Sequence, residues 1–199
     1  MSISTRIGIS WSGGEQHEPT DTLVLTGKSY FVDVRIKRND KRLDWAFAGT
    51  KSSEPGPIEG QTHSAWHHTI DSRSTIPVKD EGILFPDPSD PTKTIERGSM
   101  LNPETGSVEE YEECWNDIEP PSGSIVAFLE KEDGMAMVGI IGSRRLGIGR
   151  GFAWRMEGGR MVFTEGETEG TDVAIPVGEP IEPGDKLGRW IVREYWTSA

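Results

Sequence analysis

The chain has little cysteine, no long apolar run and few cations for its length. A single cysteine, Cys114, excludes an intramolecular disulfide framework. No stretch approaches the roughly 20 apolar residues of a membrane helix. The opening Met1-Ser2-Ile3-Ser4-Thr5-Arg6 lacks a charged segment followed by an apolar one, so no secretory signal is visible. These absences point to a soluble intracellular protein, cytoplasmic or nuclear, with no membrane partner. Lys and Arg total 21 against 33 Asp and Glu, a formal charge of −12. Such a chain repels a phosphate backbone unless it carries a strong basic patch. Arg144, Arg145 and Arg150 make only a thin one, so nucleic acid is not an expected partner.

Apolar residues are only 34% of the 199, but seven are Trp, too much aromatic area for a disordered chain. The 24 Gly and 13 Pro exclude a helical bundle or coiled coil, because both disfavour helix interiors. What remains is a period of two. Ile3, Thr5, Ile7, Ile9 and Trp11 alternate with Ser4, Arg6, Gly8 and Ser10. Tyr30, Val32, Val34 and Ile36 alternate with Phe31, Asp33, Arg35 and Lys37. Both read as half-buried strands. Similar runs span 22–26, 43–48, 64–70, 94–101, 108–115, 124–130, 135–141, 149–156, 160–164, 172–177 and 186–196, separated by turns such as Ser12-Gly13-Gly14 and Asn102-Pro103-Glu104-Thr105-Gly106. Residues 51–62 and 86–92 read as long surface loops. Many short strands at hairpin spacing indicate an all-β fold, an antiparallel barrel or sandwich.

Glu119-Pro120-Pro121-Ser122-Gly123 reads as a boundary, because paired prolines cannot donate to a ladder. It divides an N-terminal β-barrel over 1–119 from a smaller C-terminal barrel or sheet over 124–199, with a linker at 120–123. Glu113-Cys114-Trp115 and Glu194-Tyr195-Trp196 end the two parts alike. That is either a weak internal duplication or chance similarity between two amphipathic strands.

Three of the four histidines cluster in His63-Ser64-Ala65-Trp66-His67-His68. On a strand, 63 and 67 share one face and Trp66, His68 and Ile70 the other. No ligand constellation completes a metal site, so the cluster is either exposed or a source of one hydrogen-bonding or proton-moving histidine in an apolar cavity. In Glu109-Glu110-Tyr111-Glu112-Glu113-Cys114-Trp115 a strand places Glu109, Tyr111, Glu113 and Trp115 together. A carboxyl held beside Trp and Tyr in a cavity has its charged form disfavoured and can serve as an acid or an anchor. The other reading is an edge strand guarded by charge. Gly147-Ile148-Gly149-Arg150-Gly151 lacks the spacing and the following helix of a nucleotide loop, and reads as strand curvature or bulges at a barrel corner. No cofactor is implied.

Leu43-Asp44-Trp45-Ala46-Phe47-Ala48-Gly49-Thr50, with 102–106, Tyr111–Trp115 and the closing Trp190–Tyr195, resembles the fungal Hri-type family, named for a member that interacts with a casein-kinase-I-type protein kinase. The opening Ser2–Ile7 and Pro19–Leu25 look like its filamentous members. The likeness covers most of 1–120 and the last dozen residues, and is weakest over 134–150. It implies two lipocalin-like, calycin-type antiparallel β-barrel halves in one chain; the fold expected is all-β with little helix, either two fused small barrels or one barrel with a second packed sheet. It brings no catalytic residues with it.

The expected function is binding of a hydrophobic or aromatic small molecule in the N-terminal barrel. The chain would act as a carrier or as a cofactor-independent cyclase or isomerase of fungal metabolism. The other class is a non-catalytic interaction module whose acidic surface steers a protein kinase. Glu113, His68 and Tyr111 are the expected polar, catalytic anchors. Trp45, Phe47, Trp66 and Trp115 are the expected ligand walls, with Leu43 on the same inward face as Trp45 and Phe47 and with Trp45 mostly buried.

Overall fold

The computed structural model describes residues 1–176 and 180–199. The first eight strands are β1 (Ser2–Trp11), β2 (Thr20–Thr26), β3 (Tyr30–Lys37), β4 (Leu43–Pro55), β5 (Thr62–Asp71), β6 (Val78–Pro86), β7 (Lys93–Leu101) and β8 (Val108–Ile118). Each pairs antiparallel with the next, and β8 pairs back onto β1 to close a barrel. Closure leaves no unpaired edge in this unit.

The chain resumes with β9 (Ile125–Lys131), β10 (Ala136–Ile141), β11 (Arg144–Gly149), β12 (Phe152–Glu157), β13 (Arg160–Glu165), β14 (Lys186–Leu187) and β15 (Trp190–Thr197). They form one open sheet in the order β13-β12-β11-β10-β9-β15-β14. The all-β class is therefore as expected, in the form of one barrel with a second packed sheet. No helix among the described residues is long and apolar enough to cross a membrane.

The packing explains which face of each strand points inward. Leu23, Leu25, Val32, Val34, Ala46 and Ala48 turn outward from the barrel and pack against Val126, Phe128, Met137, Leu146 and Ile148 of the open sheet. This buried layer is the main core, where apolar area leaves water most completely. Glu194 of β15 ties the two units together by accepting from the backbone N–H of Lys28 (2.9 Å) and Ser29 (2.5 Å) at the β2–β3 turn. Because the apolar stripe of β3 faces the open sheet, its polar stripe, Asp33 and Arg35, faces the barrel interior. Simple alternation gave the period and left that choice of side open.

Three β-bulges correct the expected faces. The β1–β8 register slips between Arg6 and Gly8, so Ile7 sits on the outside, 41% exposed, and Ile9 and Trp11 turn to the barrel interior opposite Glu113 and Tyr111 while Ile3 packs in the inter-sheet core. The β4–β5 register slips after Ala48, so Thr69 is extra and Ile70 packs in the inter-sheet core, away from Trp66 and His68. The β3–β4 register skips Asp44, so Leu43 packs outward and parts from Trp45 and Phe47. Bulges add one residue to one strand and reverse every face beyond them.

Other expectations also shift. Residues 51–55, read as loop, continue β4. Strands β6 and β11 were not marked by the alternation. Residues 172–176 form turns and irregular chain rather than a strand, and Val177 lies outside the described residues. Gly147 and Gly149 do not mark a barrel corner. They lie opposite Trp154 and Phe152 in the β11–β12 ladder, where an added Cβ would run into those rings.

Candidate ligand site inside the barrel

Aromatic and charged side chains share the barrel interior, which is divided into two chambers. The inner chamber has a volume of about 140 Å³. Phe47, Trp66, Trp115, Tyr111, Asp33, Glu96 and Glu113 line it. The outer chamber, at the other end, is about 550 Å³ and is lined by Trp45, His68, Arg73 and Lys79 among others. Arg35, Asp80 and Met100 line both and form the partition. The structure thus brings together five of the seven sequence-derived residues and sets Trp45 and His68 on the far side of the partition.

Glu113 is 2% exposed and belongs to an ion-pair network. Arg6 donates to it through Nη1 and to Glu18 through Nε at 2.8 Å. Arg35 Nη1 stands 3.7 Å from the same Glu113 oxygen, and Arg35 Nη2 pairs with Asp33 Oδ2 at 2.9 Å. A carboxylate held between two guanidiniums is a charge-paired anchor, fixed in place by its partners.

The group that holds a proton is Glu96, which the sequence reading missed. It is 6% exposed and accepts a hydrogen bond from the Tyr111 hydroxyl at 2.7 Å. Burial, reinforced by the Glu113 charge, pushes its carboxyl up to about 8. Burial also raises Asp33, against the pull of Arg35, and raises Asp80. It lowers the ammonium of Lys51, which lies 5.3 Å from the Trp66 ring centre. Burial and the neighbouring Glu96 charge push the Tyr111 phenol well above its usual range, so it stays a donor.

His68 is 1% exposed and packs face to face with Phe47, ring centres 4.1 Å apart. Its Nδ1 lies 2.9 Å from Asp71 Oδ2, and Asp71 also accepts from Trp45 Nε1 at 2.9 Å. Trp45 is of intermediate burial, its ring flanked by the guanidiniums of Arg35 and Arg73 at 5.0 and 4.8 Å. His63, by contrast, lies on the outside beside Glu54 and Glu81.

Three buried polar atoms have no hydrogen-bond partner among the described residues: Asp33 Oδ1, Trp115 Nε1 and His68 Nε2. Asp33 and Trp115 line the inner chamber and His68 the outer one. Alternation in the sequence carries no signal for Glu96. Thr94, Glu96, Gly98 and Met100 share one face of β7, and Ile95, Arg97, Ser99 and Leu101 share the other. Since Ile95 and Leu101 fall on the other face, alternation alone points Glu96 outward.

These features define a class: a closed antiparallel β-barrel with a charged, chambered interior, backed by an open sheet. Within it the chain belongs to the HRI1 protein family, whose model, described as Protein HRI1, matches residues 2–172. The fold is similar to the crystal structure of an uncharacterized protein from the yeast Saccharomyces cerevisiae, with a TM-score of 0.74 at 14% identity, covering 98% of this chain and 99% of that one. No curated protein matches the chain.

Proposed function

We propose that the inner chamber binds one small molecule with an aromatic ring and polar substituents. The observation that carries this reading is the pair of orphaned atoms Asp33 Oδ1 and Trp115 Nε1 beside a cavity. An unpaired buried donor or acceptor costs about 1–3 kcal/mol. A ligand that presents a donor to Asp33 and an acceptor to Trp115 removes both costs at once. Phe47, Trp66 and Trp115 supply flat apolar walls, which favour a ring. The chamber volume is close to the roughly 150 Å³ of an engineered cavity that takes up benzene, so one ring is the right scale.

The charged partition makes a purely hydrocarbon cargo a poor fit, because its entry leaves the polar atoms unpaired. The same chamber serves a carrier or a cofactor-independent isomerase, and the up-and-down closure of β1–β8 supports grouping the barrel with calycin-type binders. A barrel acting only as a scaffold for a protein kinase needs no such chamber, which favours ligand binding over the interaction-module reading.

Isothermal titration calorimetry with single-ring compounds tests this. Val24 lines the chamber, so Val24→Phe fills it from the wall. Saturable one-to-one binding by the wild type, lost in Val24→Phe with the circular dichroism unchanged, is expected. Equal binding by both proteins, or none by the wild type, contradicts the reading.

A further inference from the structure

We propose that Glu96 is a second hydrogen-bond donor of the inner chamber, beside Trp115 Nε1, which makes its ligand class ring compounds bearing a carbonyl or phenolic oxygen. This rests on the reading of the chamber as a ligand site. Two features of the wall single Glu96 out. The first is its pairing. Asp33 and Glu113 each have a guanidinium partner, whereas Glu96 makes no ion pair among the described residues and is held by the Tyr111 hydroxyl alone. The second is the space made for that pair. Gly82 and Gly98 lie directly opposite each other in the β6–β7 ladder. A Cβ on Gly98 would stand 2.6 Å from the Tyr111 hydroxyl oxygen, and one on Gly82 would stand 2.9 Å from Glu96 Cγ and Oε1. The barrel wall is cut back where the tyrosine and the carboxyl meet.

The charged and titratable groups facing Glu96 are Glu113 and Tyr111 on β8, Asp80 on β6, Arg35 on β3 and Lys51 on β4. Burial first, then the Glu113 charge and more weakly Asp80, favour the protonated carboxyl, against the Tyr111 hydrogen bond and the smaller pull of Arg35. With its midpoint near 8, the carboxyl is a neutral acid at neutral pH. Tyr111 donates to Oε1, so Oε2 carries the acid hydrogen and is free to donate. A hydrogen bond from a buried, preorganised acid to a ligand oxygen polarises a bound carbonyl, and water cannot match it in the same place.

The test uses acetophenone, a non-titrating ring ketone, with the whole chain. Its affinity is measured by calorimetry below and above about pH 8 for the wild type and for Glu96→Gln. Infrared spectra of the ligand-free proteins report the carboxylic-acid C=O band. The wild type is expected to bind roughly tenfold more weakly above that pH, a loss of about 1.4 kcal/mol. Its acid band is expected to fade over the same range. Glu96→Gln should lack the band and bind with no pH dependence. If the variant does not fold, the wild-type affinity and band are followed together over the same range. Wild-type binding that ignores pH, or an acid band that survives in Glu96→Gln, overturns the assignment and leaves the chamber reading standing. No binding at either pH, with single-ring compounds lacking oxygen also failing, overturns both.

Discussion

Arg6 on β1 donates to Glu113 on β8 across the seam that closes the barrel, and both side chains are under 5% exposed, at 4% and 3%. The pair is therefore both a clasp and a source of field. It joins the first and last strands of the barrel, and the Glu113 charge is the chief electrostatic cause of the raised Glu96 carboxyl.

Glu113→Gln should destabilise the chain by about 1–3 kcal/mol, the cost of losing a buried charged hydrogen bond, because Arg6 keeps Glu18 and Arg35 keeps Asp33 as partners. Urea unfolding monitored by tryptophan fluorescence measures it. The same variant should lower the midpoint of the Glu96 acid band, because its nearest negative neighbour is gone. A stable variant with an unmoved Glu96 midpoint would contradict the clasp.

Stability should fall as pH rises between about 4.5 and about 8. The folded state holds a proton on Glu96 through this window while the unfolded chain has released it, so unfolding is favoured by rising pH. The loss is complete above the folded midpoint. Glu96→Gln, which keeps an acceptor for Tyr111 and never ionises, should remove this component and be the more stable protein above pH 8. Thermal unfolding of both proteins across this range checks it.

Gly98→Ala should disturb the interior more than an ordinary strand glycine. Its Cβ meets the Tyr111 hydroxyl and also the Glu81 carbonyl, 2.7 Å away, which is backbone and cannot swing aside. The expected cost is about 1–3 kcal/mol, typical of overpacking, with loss of the Tyr111–Glu96 hydrogen bond in the infrared spectrum. Unchanged stability and spectrum would mean that the wall yields there.

Two tryptophans should respond differently to truncation. Trp154 is 0% exposed in the open sheet and donates to the Glu169 carbonyl at 2.9 Å, so Trp154→Ala should cost about 3–5 kcal/mol. Trp45 is half-buried at the outer chamber. Trp45→Ala should cost about 2 kcal/mol, in proportion to the smaller area it hides. Chemical unfolding curves compare them, and a reversed order would contradict the placement of Trp45 on the chamber wall.

The strands were largely legible from alternation, and Tyr111, Glu113 and Trp115 do lie together on the inner face of β8. The direction of the faces was not legible. In β3 the apolar stripe of Val32 and Val34 is buried against the open sheet, a partner more than ninety residues away that no local pattern announces. Asp33 and Arg35 therefore read as surface and are the interior. Ile9, Leu43 and Ile70 moved for a different reason. Each lies at or beside a one-residue slip, and a bulge leaves no mark in a period-two pattern. Glu96 was hidden because its neighbours Ile95 and Arg97 look like an ordinary strand pair. Its burial depends on Gly82, Gly98 and Tyr111, which meet only when β6, β7 and β8 are laid side by side.

Native mass spectrometry of freshly purified protein tests the central claim, occupancy of the inner chamber, most directly. The expected result is one small organic molecule per chain, carried from purification or taken up from added single-ring ketones or phenols, and absent from Val24→Phe. A spectrum of bare chain under every one of these conditions, or an adduct that persists equally in Val24→Phe, would contradict it.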